Sequence, residues 1–312
     1  MGGSIKVKKE CMNNCKVANM LTVNKGLAKK QMIRVSTLPS RKIVTLVNLC
    51  QDKNIQLSCN DISPYDMAVM DAFYTLYKSG YQTFSLQTVI RVMSGNMDQD
   101  ITAQKIARLK ESVEKLRLIL ITIDCTDELR ARKLIKKEET AKYRSYFLPV
   151  SSMEIQSGNQ TIVEGYRLLE LPALYAYAER IKQMISVPIE LLASTEGFLP
   201  DTDENIILKR YLLKRIARMK KEKATVYSRR IRYEWYDRKA QREKGMFAEL
   251  GYREEDFASR SSWLNKRAKV HKAVKQILDA FRQAGYIAGY SETREGNTIT
   301  GVEILLGETT EK

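Results

Sequence analysis

The sequence predicts a helix-rich α+β chain made of two similar modules in tandem. Three observations carry that prediction. Helix-start residues followed by apolar positions at three- and four-residue spacing occur three times before residue 117, and the pattern resumes after residue 205. A β-branched, alternating stretch follows the last helix of each set. The side of each last helix opposite its apolar stripe is basic.

Residues 1–42 read as a basic, weakly ordered arm, in which Lys6, Lys8, Lys9, Lys16, Lys25, Lys29, Lys30 and Arg34 are opposed only by Glu10. The first module is placed at 43–170. Ile43 to Leu49 is a short β-branched apolar run suited to a strand. Ser63 is placed to cap a helix, with Pro64 at its first position and Asp66 completing a capping box. Met67, Val69, Met70, Phe73, Tyr74, Leu76 and Tyr77 give that helix a wide apolar face, and Gly80 ends it. Ser85 opens a shorter helix with Leu86, Val89, Ile90 and Met93 inward and Gly95 as its stop. Thr102 opens a third, with Ile106, Leu109, Val113 and Leu116 on one side and Gln104, Lys105, Arg108, Ser112 and Lys115 on the other. Leu118 to Cys125 is strand-like, and Asp127 to Lys142 is a charged loop holding Arg130, Arg132, Lys133, Lys136 and Lys137. Tyr146 to Val150 and Ile162 to Leu169 are further strands. Three helices, a strand, a basic loop and a strand are the plan of a winged helix, the helix-turn-helix variant whose third helix enters the major groove.

Residues 171–204 read as a connecting helix (Pro172 to Ile185) and a link with a turn at Gly197. The second module is placed at 205–312. Asn205 is a candidate cap for a helix with Ile206, Leu208, Tyr211, Leu212, Ile216 and Met219 inward. Ser261 or Ser262 starts a long helix whose inward residues are Val270, Val274, Ile277, Leu278 and Phe281, and whose other face shows Asn265, Lys269, Lys272, Lys275 and Gln276. Gly285 ends it, and Tyr286 to Tyr290 pairs with Thr298 to Leu306 around Ser291 to Asn297. The fold class expected is therefore α+β, helix-rich, with two tandem winged-helix domains.

The charge balance narrows the partner. The 312 residues hold 53 Lys and Arg against 37 Asp and Glu, a formal net charge of +16. The densest stretch is Lys209 to Lys244, fifteen bases against Glu222, Glu234, Asp237 and Glu243. Like charges this close repel unless something negative lies beside them, and a phosphate backbone supplies that. Interleaved Leu208, Tyr211, Leu212, Ile216, Ile231, Tyr233 and Trp235 argue for a folded segment. No apolar run approaches the roughly 20 residues of a membrane helix, so no membrane is expected. Five scattered cysteines suit a reducing cytoplasm rather than a disulfide framework. Cys11, Cys15, Cys50 and Cys59 could in principle hold zinc, but their irregular spacing and the distance of His271 favour plain thiols, and no metal or cofactor is expected.

Catalytic patterns are missing. There is no phosphate-binding loop and no dinucleotide-binding glycine turn, and the single histidine, His271, sits near the inward face of its helix. The expectation is a binding protein and not an enzyme. On the third helix of each module Gln104, Arg108, Asn265 and Lys269 are the candidates for reading base edges. Lys105, Lys115, Lys266 and Lys272 are candidates for phosphates, with Ser112 and Ser262 on the same helices. Arg130, Arg132 and Lys133 would sit on the first wing and Arg294 on the second. Trp235, Tyr236 and Trp263 are expected in the core rather than stacked on bases.

Three segments, "ISPYDMAVMDAFYTLYKSGYQTFSLQTVIRVMSGN" (Ile62–Asn96), "ITAQKIARLKESVEKLRLILITID" (Ile101–Asp124) and "NIILKRYLLKRIARMK" (Asn205–Lys220), carry a resemblance. The chain resembles the replication initiators of theta-type plasmids and related mobile elements. That resemblance implies tandem winged helices, the first dimerising or touching adjoining DNA and the second reading origin repeats. It also implies origin opening without catalysis, with double-stranded DNA, a second copy of the chain and host replication proteins as partners. Alternatives of other kinds are a transcriptional regulator of a mobile element, a DNA nuclease or recombinase subunit, and an RNA-binding structural protein.

Overall fold

The structure is a computed structural model that describes residues 7–14, 18, 34–38, 41–45, 55–58, 62–124, 126–131, 133–158, 160–180, 182–200, 202–222, 229–238 and 242–307. Helices and sheets are mixed, in keeping with the α+β class. The chain divides into two compact units, Met1–Met184 and Ile185–Lys312. The division lies inside the segment read above as a linker, 171–204.

The first unit is built around helix α1 (Pro64–Lys78). Its start follows the sequence closely. Ser63 Oγ accepts the Asp66 N–H, Asp66 Oδ2 accepts the Ser63 N–H, and Pro64 occupies the first turn. Such a cap stabilises a helix by about 1 kcal/mol. Met67, Ala68, Val69, Met70, Ala72, Phe73, Tyr74 and Leu76 are all buried, so α1 is enclosed on every side rather than amphipathic.

Around it lie α2 (Leu86–Ser94), capped by Ser85 and stopped by Gly95 in the left-handed conformation, and α3 (Ala103–Arg117), capped by Thr102. Strand β1 (Lys9–Asn13) also packs on α1, with Met12 and Asn13 fully buried. Buried polar groups on α1 hold it. Thr75 Oγ1 accepts the Cys11 N–H and Asp71 Oδ1 accepts the Asn13 N–H, both at 2.9 Å. Residues 9–13 thus form a strand within the arm expected to be weakly ordered over 1–42, because side-chain acceptors on α1 take hydrogen bonds from an extended backbone.

Two sheets complete this unit. One is antiparallel with strand order β2-β3-β4-β6-β7, from β2 (Arg34–Leu38), β3 (Arg41–Thr45), β4 (Ile55–Ser58), β6 (Leu120–Asp124) and β7 (Lys142–Tyr146). A short helix α4 (Thr126–Ala131) lies between β6 and β7 in the chain. The other sheet has the order β5-β9-β8, from β5 (Thr83–Ser85), β8 (Val150–Ser157) and β9 (Gln160–Leu168).

Within the strand-like run after the third helix, Leu120–Asp124 pairs on one side with β7 across the charged loop, as expected, and on the other with β4, which was not expected; it does not pair with the β8–β9 hairpin. Its Ile121 faces Leu57 of β4 and Ser145 of β7 instead. The hairpin is β8–β9, and its turn is at 157–160.

Helix α5 (Ala173–Arg180), expected as a connector, is a core element of the first unit. Tyr175 Oη donates to Asp71 Oδ1 at 2.6 Å, and Tyr74 Oη donates to Glu179, which also meets Lys78 Nζ at 2.6 Å. Strand β10 (Met184–Pro188) spans the division between the units.

The second unit opens with α6 (Glu190–Ala193) and α7 (Asp203–Lys221). Thr202, not Asn205, caps α7; Asn205 is buried and donates from Nδ2 to the Pro200 carbonyl at 2.8 Å. The remaining elements are β11 (Arg230–Arg232), β12 (Trp235–Asp237), β13 (Arg242–Lys244), α8 (Met246–Leu250), α9 (Arg260–Gln283), β14 (Gly289–Glu295) and β15 (Thr298–Leu305). The main sheet has the order β11-β15-β14, and β12 and β13 form a separate hairpin. The buried face of α9 is Trp263, Val270, Ala273, Val274, Ile277, Leu278, Ala280 and Phe281.

The two units share an arrangement. In each, a short strand after the first long helix pairs with the last strand of a hairpin that follows the third helix. In each, a glycine makes the crossing. Gly165 stands opposite Ser85, and Gly301 opposite Arg232. A Cβ at Gly165 would lie 2.5 Å from the Phe84 carbonyl oxygen, and one at Gly301 would lie 2.5 Å from that of Ile231. Only a residue without Cβ allows the backbones so close.

Candidate nucleic-acid interface

The third helices of the two units present different surfaces. In α3 the inward stripe is Leu109, Ser112, Val113 and Leu116, at helical spacing. Ser112 is 4% exposed and donates from Oγ to Asp66 Oδ1 at 2.6 Å. Lys115 reaches the same carboxylate through Asp66 Oδ2. Both residues are therefore corrections to the outward face expected for them. Asp66 is buried at the start of α1 and draws α3 onto that helix, so these two side chains serve the fold.

What α3 turns outward is mixed in sign. Gln104, Ala107, Arg108, Glu111 and Glu114 are exposed, and Lys105 is half-buried. The Arg108 guanidinium lies 3.8 Å from the centre of the Tyr65 ring, a cation–π contact. Lys110 pairs with Glu164, and Arg117 with Glu114 at 2.9 Å.

Helix α9 is different. It carries seven basic residues and one acid, Asp279. Ser259 caps it, accepting the Ser262 N–H at 3.2 Å, so Ser262 lies in the first turn and is exposed. Asn265, Lys269 and Lys272 are exposed along one stripe. Among the described residues, neither Lys269 nor Lys272 forms an ion pair. Arg260, Ser261, Leu264 and Ala268 are exposed on the same side. Leu264 was not anticipated: an exposed leucine on an otherwise polar face is a break in the pattern that the sequence already displays.

Lys266 is the exception on α9. It turns to Glu204 of α7, with its ammonium 4.7 Å from the Tyr252 ring centre. Burial alone would lower its pKa; the Glu204 carboxylate and the Tyr252 hydroxyl outweigh that and raise it. It is a bridge between helices and not a free phosphate ligand.

Of the expected wing residues, Arg130 and Lys133 stand in the connection between β6 and β7, and Arg294 near the β14–β15 turn. Arg130 and Lys133 lie at the end of α4, on the way to β7, and not on the β8–β9 hairpin. Arg130 donates to the Glu139 carbonyl at 3.0 Å, and Lys133 adopts φ 58° as α4 ends. Arg132 lies outside the described residues. In the second unit Arg294 is exposed near the β14–β15 turn and pairs with Glu292 at 2.7 Å. Glu292 also meets Lys275, and these two cations hold its carboxyl below the usual range.

The basic stretch 209–244 is less solvent-facing than its composition suggests. Lys209 and Arg210 are buried, and Lys209 Nζ donates to the Leu192 carbonyl at 2.7 Å. Lys220 lies 4.4 Å from the Tyr286 ring centre, and burial lowers its pKa. Arg218 pairs with Glu222 at 2.7 Å. A carbonyl, an aromatic ring and a carboxylate thus take up several of the charges of this dense stretch.

The aromatic residues divide. Trp263 is 3% exposed and packs against Phe247 and Phe257, each with ring centres 5.1 Å away. Trp235 and Tyr236, expected in the core, are 38% and 58% exposed on the β12–β13 hairpin. His271 stacks 4.0 Å from Tyr233; burial, with Arg267 beside it, lowers its pKa to about 4. Among the described residues there is no group of three or more His, Cys, Asp or Glu placed to hold a metal ion, and no helix long and apolar enough to cross a membrane.

No family model and no curated protein matches the chain. Among solved structures it is similar to the crystal structure of RctB domains 2–3, at 9% identity and a TM-score of 0.44, over 93% of this chain and 97% of that one. It is also similar to the crystal structure of selenomethionine derivatives of RctB domains 2 and 3, at 10% identity and a TM-score of 0.40, over 87% and 89%.

Proposed function

We propose that the chain is a sequence-specific duplex-DNA-binding protein of two tandem winged helices, acting without catalysis as the replication initiator of a plasmid or integrative mobile element. The observation that carries the DNA-binding part is the outward stripe of α9: Asn265, Lys269 and Lys272, with no carboxylate before Asp279. A helix in the major groove needs donors for base edges and cations for phosphates on one face, and needs that face free of acids. Asn265 suits adenine, while Lys269 suits guanine or phosphate. The strand order β11-β15-β14 after the third helix supports the winged-helix reading of the second unit, and β5-β9-β8 that of the first. The origin role rests on the resemblance of Ile62–Asn96, Ile101–Asp124 and Asn205–Lys220 to plasmid initiators.

In this reading α9 docks on origin repeats, copies of the chain bind cooperatively, neighbouring duplex opens, and host replication proteins are recruited in the cytoplasm. The test has two levels. Duplexes selected from a random pool should converge on a motif, and affinity for it should fall steeply with salt, by about 0.9 in the log–log slope per phosphate contacted. A flat salt response or no convergent motif rejects DNA reading by α9. A plasmid carrying the selected repeats should then replicate only when the chain is supplied; repression of a nearby promoter without maintenance would identify a transcriptional regulator.

A further inference from the structure

We propose that the β12–β13 hairpin is a stacking site for an unpaired DNA strand. The hairpin is an insertion. In the first unit β5 ends at Ser85 and α2 begins at Leu86, whereas in the second unit residues 233–245 separate β11 from α8. That inserted segment carries Trp235 and Tyr236, both exposed, although Tyr233, Phe247 and Trp263 of the same unit are buried. The unit therefore has a place for aromatic rings in its interior and leaves these two outside.

Cations surround the exposed indole. The Arg232 guanidinium lies 5.8 Å and the Lys244 ammonium 5.2 Å from its ring centre. Arg238 is exposed at the end of β12. Of the acids on or beside the hairpin, Glu234 and Asp237 are engaged, by Arg267 and Lys244 respectively, and Glu243 stands opposite Tyr236 in the register. Aromatic faces beside cations suit a strand whose bases are free to stack and whose phosphates need neutralising. A duplex keeps its base faces covered by neighbouring pairs, so it offers an indole nothing to stack on. The site rests on the nucleic-acid reading above for its class of polymer, but it does not involve α9.

The full chain is titrated with a single-stranded oligothymidylate of about twelve nucleotides, with an oligouridylate of the same length, and with the selected duplex. The oligothymidylate should quench tryptophan emission, and because Trp263 is buried the change reports Trp235. Trp235→Ala should weaken oligothymidylate binding by about fivefold or more, Trp235→Phe should restore most of it, and duplex affinity should not change in either. Tyr236→Ala should give a smaller loss. Unchanged oligothymidylate affinity in both alanine variants, with duplex binding intact, overturns the site and leaves the α9 reading standing. Binding of neither polymer overturns both. Preference for the oligouridylate overturns the assignment to DNA.

Discussion

Helices α3 and α9 hold the same position in the order of their units, yet they use charge in opposite ways. In α3 four of the five basic residues are absorbed, Lys115 by Asp66, Lys110 by Glu164, Arg117 by Glu114, and Arg108 over Tyr65, the fifth being Lys105. In α9 Lys266, Arg267, Lys275 and Arg282 are drawn to acids, while Lys269 and Lys272 point outward. Placing like charges near each other in water without a compensating acid destabilises a helix by a few tenths of a kcal/mol per pair. Retaining such a stripe suits an anionic partner, and neutralising it suits a structural helix. On the function proposed above, the second unit would be the DNA reader, and the first would hold its cations in the fold.

The largest effect expected from breaking this contrast falls on the first unit. Asp66→Ala removes the N3 half of the α1 capping box and strands the Ser63 N–H and the Ser112 hydroxyl, and should cost roughly 3 kcal/mol in urea unfolding. Lys115→Met should lower the same transition while leaving the duplex affinity of the folded chain unchanged. If Lys115→Met weakened DNA as strongly as Lys269→Ala, the contrast between the helices would be wrong.

Next come the two glycine crossings. Gly165→Ala and Gly301→Ala each force a Cβ against a carbonyl oxygen and should cost roughly 2–3 kcal/mol. Both tryptophans lie in the second unit, so Gly301→Ala should shift the fluorescence transition. Gly165→Ala should shift the circular-dichroism transition without moving the fluorescence one. An unaffected variant at either glycine would break the correspondence between the units.

Lys269→Ala with Lys272→Ala should leave the melting temperature unchanged, reduce the salt slope of duplex binding by about 1.8, and weaken binding at low salt. Asn265→Ala should relax the sequence preference at one position, at about 1–3 kcal/mol. The smallest effect is on pH dependence. His271, with its pKa lowered from 6.5 to about 4, is neutral in both the folded and unfolded states above pH 6.5. As pH falls from 6.5 towards 4 the unfolded chain takes up a proton that the folded chain does not, so stability falls; below about 4 both are protonated and the loss levels off. His271→Phe should flatten that part of the fluorescence-detected stability profile.

Much of the helical frame was legible because its signals are local. Ser63, Pro64 and Asp66 form the expected capping box, Ser85 and Thr102 cap where expected, and Gly95 stops α2. Local signals mislead when a neighbour of the same type competes, as where Thr202 caps α7 instead of Asn205 and Ser259 caps α9 instead of Ser261 or Ser262. Strand partners were not legible. The run Leu118 to Cys125 looks like the first strand of a wing, but hydrogen bonding to Ile55–Ser58 depends on residues more than sixty positions away. Arg130 and Lys133 nonetheless lie where the sequence placed them, in the charged connection between two paired strands, β6 and β7. Ser112 could have been placed inward, since it stands three residues from Leu109 and four from Leu116; its polarity disguised a buried hydroxyl with a partner.

Composition and periodicity alone set the charge of the chain, the starts of α1, α2 and α3, and the apolar stripes of α3 and α9. Tertiary structure alone decided which of the Lys and Arg side chains face water. A side chain's fate depends on whether an acid, a carbonyl or an aromatic ring lies within a few ångströms, and such neighbours come from distant segments. That is why Lys115 and Lys209 are spent inside the fold while Lys269 and Lys272 remain outside it.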